Sequence, residues 1–484
     1  MPRFLPILLL LKLSPLLAVP IGHEPTAEPR GSSAMGALSA IACIDGQAGD
    51  FPCNGVDLLA YVPLEDMGCG SDGEGLGNDI WGWTDSVTGT EYALMGCHNG
   101  TSFIDLSDPK APVFIGRLPT HTDNSIWRDI KVYADHAYIV SEATGHGLQV
   151  FDLTQLRDVS KPPVVFENTA HLDSFSTAHN IAINEETGFA YVVGSDHCNG
   201  GLYFVDINEP ASPVFAGCFD QDGYTHDTQC VIYRGPDTRY QGREICFNSN
   251  IDTLTIVDVT DKLVPALTEN QINDAVAYTH QGWLTEDRQY FSGPVLLGRQ
   301  TYDDAAYTHQ GWLTEDHQYF LLGDEHDELN ENNDIDHTRT IIWDVSDLEA
   351  PLVIGFYFST ETAIDHNLYI LGNYVYQANY TAGLRILDLA EVAAGELTEV
   401  AYFDVSPEQE TSMKDDATMQ NDAGPRHDDE DLSFSGAWSN FPFFDSGIVI
   451  VSSIGSAGEP GGLFVLQPHI TVHGRGLIFH DRFE

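Results

Sequence analysis

The chain has 484 residues, with 73 Asp and Glu against 21 Lys and Arg, for a formal net charge of -52. A surface of that sign repels nucleic-acid phosphates and anionic lipid headgroups, so no nucleic-acid partner is expected, and it attracts cations such as calcium. Eight cysteines without a CxxC pair fit disulfides formed in an oxidising compartment and disfavour a zinc ribbon or a thioredoxin-type site.

The chain opens with Arg3, the apolar run Leu5-Pro6-Ile7-Leu8-Leu9-Leu10-Leu11, and Leu16-Leu17-Ala18-Val19 before the polar His23 and Glu24. This is the layout of a secretory signal peptide over residues 1–20, followed by a flexible segment over 21–42. Lys12 and Pro15 break the run, which is too short for a transmembrane helix, and no other long apolar segment occurs, so no membrane span is expected in the mature chain. A secreted or cell-surface protein follows. The cysteine spacing favours local pairs, Cys43 with Cys53, Cys69 with Cys97, Cys198 with Cys218 and Cys230 with Cys246, out of about 105 connectivities open to eight cysteines.

From Cys43 onward a repeat is visible. Apolar runs close on an Asp, as in Phe103-Ile104-Asp105, Val150-Phe151-Asp152, Phe204-Val205-Asp206, Ile256-Val257-Asp258, Ile342-Trp343-Asp344 and Ile386-Leu387-Asp388, with Leu463-Phe464-Val465 as a degenerate last member. Most are preceded by another β-branched or aromatic run, such as Tyr138-Ile139-Val140 or Tyr191-Val192-Val193, and several are followed by a third, such as Val353-Ile354-Gly355. These runs are bounded by Gly, Pro, Asn and Asp, which is strand grammar. Helical stretches are scarce, the best being 388–395. Three or four strands recurring at roughly 45 to 55 residues predict propeller blades, which bury their faces only by stacking radially. The predicted fold is all-β: a single seven-bladed β-propeller over residues 43–468, closed by strands from both chain ends, with 56–62 as the outer strand of the last blade.

Two stretches depart from the repeat. The phrase Ala277-Tyr278-Thr279-His280-Gln281-Gly282-Trp283 recurs as Ala306-Tyr307-Thr308-His309-Gln310-Gly311-Trp312, so 277–316 holds a recent duplication in which the second copy is the one built into a blade. Residues 407–432 read as an acidic surface insertion. The acidic stretch 324–336 reads as a solvated loop, because it lacks the glycine and spacing of an EF-hand calcium loop.

Each presumed innermost strand starts with polar residues: Asn78-Asp79, Arg128-Asp129, His179-Asn180, His226-Asp227, His309-Gln310, His366-Asn367 and Ser439-Asn440. Inner strands open onto one end of the central channel, so His179, His226, His309 and His366, with Asp79, Asp129 and Asp227, are expected to converge there. Imidazoles and carboxylates together suit a transition metal, the oxygen donors alone suit calcium, and both can move protons. The competing reading is that these side chains cap backbone groups and tie blades together. No GxSxG elbow, Walker loop, HExxH or dinucleotide fingerprint is present.

Asp365-His366-Asn367-Leu368-Tyr369, Thr279-His280-Gln281-Gly282-Trp283, Asn379-Tyr380-Thr381-Ala382-Gly383-Leu384-Arg385 and the Ile256-Val257-Asp258 repeat resemble the choice-of-anchor B family of LVIVD-repeat proteins over about Cys43 to Pro468. The resemblance implies an exported propeller with a variable sorting tail and no established catalysis. Residues 469–484, ending Phe479-His480-Asp481-Arg482-Phe483-Glu484, look like such a tail, through which the protein would be anchored to the cell envelope. The expected function is a scaffold that binds a protein or glycan at the cell surface. The alternatives are a metal-dependent hydrolase or oxidoreductase using the His/Asp ring, or a calcium-stabilised structural propeller.

Overall fold

The computed structural model describes residues 36–70, 76–262, 293–330, 333, 335–406, 434–455 and 460–470. The expected signal peptide, the first copy of the duplicated phrase, the acidic insertion and the tail beyond residue 470 lie outside them.

Seven sheets form seven blades. Their innermost strands, in chain order, are Gly77–Thr84 (blade 1), Arg128–Tyr133 (blade 2), Asn180–Asn184 (blade 3), Asp227–Ile232 (blade 4), Thr308–Leu313 (blade 5), Leu368–Leu371 (blade 6) and Ala437–Phe441 (blade 7). Blade 3 shows the plan, with Asn180–Asn184, Phe189–Val193, Leu202–Asp206 and Val214–Phe219 pairing in succession, all antiparallel. The second copy of the duplicated phrase supplies the inner strand of blade 5.

The repeated Asp has a local cause. At the end of the third strand of blades 1 to 6 its carboxylate accepts the backbone N–H two residues on: Asp105 from Ser107, Asp152 from Thr154, Asp206 from Asn208, Asp258 from Thr260, Asp344 from Ser346 and Asp388 from Ala390, at 2.7 to 3.0 Å. These turns stop the strand and start the return to the outer edge. The apolar residues before each Asp fill the spaces between blades. Phe103 of blade 1 stacks on Phe151 of blade 2 at 4.7 Å, and Phe247 of blade 4 on Phe320 of blade 5 at 5.5 Å, all four fully buried. Rings of this size each remove about 150 to 250 Å² from water and dominate the core energetics.

The ring closes as predicted. Val56–Pro63 pairs antiparallel with Gly462–Pro468 as the outer strand of blade 7. Just before it, Phe51–Asn54 pairs with Thr398–Phe403 at the outer edge of blade 6, so the N-terminal strands join two blades. Leu38 and Ile41 exchange backbone hydrogen bonds with Tyr61 and Leu58, so the segment expected to be flexible as far as residue 42 is already paired at Leu38. The expected helical stretch at 388–395 is a single 3-10 turn, Val392–Ala394.

All four predicted disulfides are present: Cys43–Cys53, Cys69–Cys97, Cys198–Cys218 and Cys230–Cys246. Among the described residues no cysteine is free, which indicates an extracellular or other oxidising environment. No described helix is long and apolar enough to cross a membrane.

The acidic stretch 324–336 departs from its expected solvated state. Asp324 and Asp327 are fully buried and Glu328 is 6% exposed. Asp324 accepts the hydroxyl of Tyr302 and the N–H groups of Ala306 and Tyr307, and Asp327 pairs with Arg339. These partners arrive from the blade 4 to blade 5 connection and from the next strand, where a local reading of the loop does not reach.

Candidate functional site

The four predicted histidines do converge. Their rings form a continuous arc at one end of the channel, with centroid separations of 4.3 Å from His179 to His226, 4.1 Å from His226 to His309 and 4.3 Å from His309 to His366. Each sits at the entry of a successive inner strand, in blades 3 to 6, so equal spacing around the ring becomes equal spacing of imidazoles. They line a cavity of about 10 Å³ together with Asp79, Asp129, Trp127 and Trp438, roughly the room one water molecule or ion needs.

Backbone carbonyls set two of the ring tautomers. His226 donates its Nδ1 hydrogen to the carbonyl of His309 at 2.8 Å, and His366 donates its own to the carbonyl of Trp438. Each Nε2 is therefore left with a lone pair, the arrangement found in metal-binding histidines. Burial holds all three rings neutral: it drives His366 down to about 3, and His226 and His309 well below their ordinary value, with neighbouring imidazoles adding to the effect. His179 behaves differently. Burial lowers its pKa, but a 2.5 Å hydrogen bond from Nδ1 to Glu142 more than offsets that, and the ring ends above its ordinary value.

A carboxylate that the sequence reading missed completes the cluster. Glu325 places one oxygen 3.7 Å from His366 Nε2 and the other 3.7 Å from His309 Nε2, while the hydroxyl of Tyr380 donates to it at 2.6 Å. Ligand atoms of His309, Glu325 and His366 all lie within 4.8 Å of one another. Two ligands about 2.1 Å from one tetrahedral ion stand about 3.4 Å apart, so small side-chain adjustments would let the three share a metal. Burial raises Glu325 to about 7. Glu325 and Glu142 both follow directly on the second strand of a blade, Tyr319–Asp324 and His136–Ser141. That repeat-equivalent position at the channel mouth was the signal in the sequence that could have found them.

The predicted aspartates sit one residue further along the inner strands, and Asp79 and Asp129 reach the same cavity as the histidines. Asp129 meets Lys131 Nζ at 2.6 Å and Asp79 lies 3.6 Å from it, with the ammonium 4.6 Å from the Trp81 ring. Burial raises Asp79 well above its ordinary value, whereas in Asp129 Lys131 and hydrogen bonds overcome burial and hold the carboxyl low. Burial and the charge of Asp129 push Asp227 up to about 7. These side chains also tie blades. Asp79 accepts the N–H of Ile130 and Asp129 that of Ile181, each in the next blade, and Gln229 and Gln310 accept those of Leu313 and Leu368 in the same way.

The sequence model of the LVIVD repeat matches residues 177–221 and 366–397, which are blade 3 and most of blade 6. The chain carries LVIVD repeats. Both matched segments contribute a histidine to the arc, His179 and His366. No curated protein matches the chain. Three similar solved structures share 10 to 14% identity: U3-55K, with 81% of this chain and 95% of that chain covered and a TM-score of 0.45; a Lactobacillus plantarum protein, with 69% and 84% covered and 0.40; and Kuenenia stuttgartiensis hydrazine synthase, with 62% and 74% covered and 0.40.

Proposed function

We propose that this protein is an exported LVIVD-repeat propeller that binds a transition-metal ion at the mouth of its channel, through His309, His366 and Glu325, and presents it to a ligand entering from solvent. The observation that supports this most is the convergence of two neutral imidazoles and one carboxylate within 4.8 Å. A mixed nitrogen and oxygen set suits zinc, copper, iron or nickel better than calcium. His226 and His179 extend the arc and hold its edge in place. Three protein ligands leave the fourth position of a tetrahedral ion for water or an anion, the condition for Lewis-acid chemistry.

The reading as a metal-free scaffold that holds a protein or glycan partner at the cell surface has its own support, because Asp79, Asp129, Gln229 and Gln310 serve as blade ties. Elemental analysis of the purified protein, after metal loading and desalting, separates the two. One equivalent of a transition metal retained by the wild type and lost in both H309A and H366A is the expected result. A protein that retains none overturns the metal reading and leaves the scaffold.

A further inference from the structure

Tyr380 is held in a backbone conformation that a tyrosine rarely adopts. Its φ is +35°, in the left-handed region that glycine enters freely and a bulky residue enters only when its surroundings force it. It lies in the turn after the second strand of blade 6, Tyr374–Ala378. Three backbone hydrogen bonds hold it there. Its N–H donates to the carbonyl of Ala437 in blade 7 at 3.1 Å, and its carbonyl accepts the N–H of Ala437 at 2.9 Å and that of Gly383 at 3.0 Å. At Gly436 the two segments come so close that a Cβ would stand 2.4 Å from the Tyr380 carbonyl oxygen. A glycine would fill the turn without strain, so a tyrosine kept in it points to a demand on the side chain.

That side chain is buried, at 2% exposure, and it reaches across a blade boundary. The hydroxyl donates to Glu325 Oε1 of blade 5 at 2.6 Å, while Oε2 of the same carboxylate faces His309 Nε2 at 3.7 Å. The phenol ring packs on His366, with centroids 4.8 Å apart. Its backbone partner Ala437 is followed by Trp438, whose carbonyl takes the Nδ1 hydrogen of His366. One residue thus touches Glu325 and His366 directly, and it is tied through its backbone to the segment that sets the orientation of the His366 ring.

We infer that Tyr380 is the positioning residue of the metal centre, its hydroxyl fixing the carboxylate of Glu325 and its ring fixing the imidazole of His366, so that both meet one ion together with His309. The inference rests on the metal reading proposed above. Tyr380 itself binds no metal: its hydroxyl hydrogen occupies a lone pair of Oε1 and limits how the carboxylate can turn. Partners of this kind orient ligands that would otherwise sample several rotamers, and the ion then binds without first ordering them. The strained turn is the part of blade 6 that keeps the phenol pointed at blade 5.

The test titrates Co²⁺ into the full chain, stripped of metal, with a competing chromophoric chelator for the affinity and the visible absorption of bound cobalt for its coordination. Y380F keeps the ring and the turn and removes the hydroxyl alone. It should bind cobalt about 10- to 100-fold more weakly, the loss that removing an outer partner of a metal ligand produces, and with an altered cobalt spectrum, while its circular dichroism stays that of the wild type. In an E325Q background the same change should cost little further, because the hydroxyl acts through that carboxylate, whereas a tyrosine that merely packs the blades together would cost the same in both backgrounds. Wild-type binding that Y380F matches in affinity and spectrum, or equal losses in the two backgrounds, overturns this inference and leaves the metal reading standing. A wild type that binds no cobalt overturns both.

Discussion

His226 in blade 4 gives its Nδ1 hydrogen to the backbone carbonyl of His309 in blade 5, at 2.8 Å. One imidazole of the arc is thereby oriented by the strand that carries the next, so the lone pair on His226 Nε2 depends on the docking of two blades. Replacing His226 by Ala is expected to weaken transition-metal binding by about 10- to 100-fold while His309, His366 and Glu325 remain. Competition with a chromophoric chelator measures this, and unchanged affinity would show that His226 neither binds nor orients.

Lys131 is the countercharge of the channel interior, 2.6 Å from Asp129 and 3.6 Å from Asp79. K131M leaves Asp129 charged and buried without a partner, a loss of about 3 to 5 kcal/mol. K131M/D129N removes both charges and should recover a large part of that loss, since the amide oxygen introduced by D129N can still accept the N–H of Ile181. Urea unfolding of the two variants side by side distinguishes a compensated charge from a packing role for the lysine stem.

Arg157 and Asp85 join blades 1 and 2 through two parallel bonds, Nη2 to Oδ1 at 2.6 Å and Nε to Oδ2 at 2.7 Å. The guanidinium draws Asp85 from its ordinary 3.8 down to about 2, against the effect of burial. A carboxyl whose folded pKa is depressed stabilises the protein above its unfolded pKa, and that contribution disappears as pH falls through the folded value. This pair is therefore expected to contribute in full above about pH 5 and to decline from there to about pH 2. In R157A the contribution is missing at neutral pH, so the stability difference from wild type should shrink on acidification. A difference that stays constant across that acid range would refute the assignment.

Cys230 and Cys246 are direct cross-strand partners in blade 4 and close a short loop between its first two strands. The C230A/C246A variant should lose about 3 kcal/mol, the entropy that a loop of about 15 residues returns to the unfolded chain. The loss should appear as a lower Tm in the oxidised protein and should vanish when wild type and variant are compared under full reduction.

The strand order within each blade was legible in the chain. Strand runs, the Asp that caps the third strand of blades 1 to 6 and cysteine pairs close along the chain follow from contacts among residues a few tens of positions apart, where pattern and turn chemistry govern, and the spare strand before blade 1, which pairs with the far end of the chain, follows from the need to close the ring without an open edge. The four histidines were legible too, because repeat-equivalent positions in a ring must meet at its axis. Which polar groups share a space is settled only in the folded ring. Glu325 joins His309 and His366, Lys131 neutralises Asp129, and Asp327 and Glu328 are buried in a stretch that reads as a solvated loop. Glu325 meets His366 only once blades 5 and 6 dock, whereas Lys131 and Arg339 reach Asp129 and Asp327 from within the same blade, where the chain pattern shows neither which side chains share a space nor how deeply that space is buried.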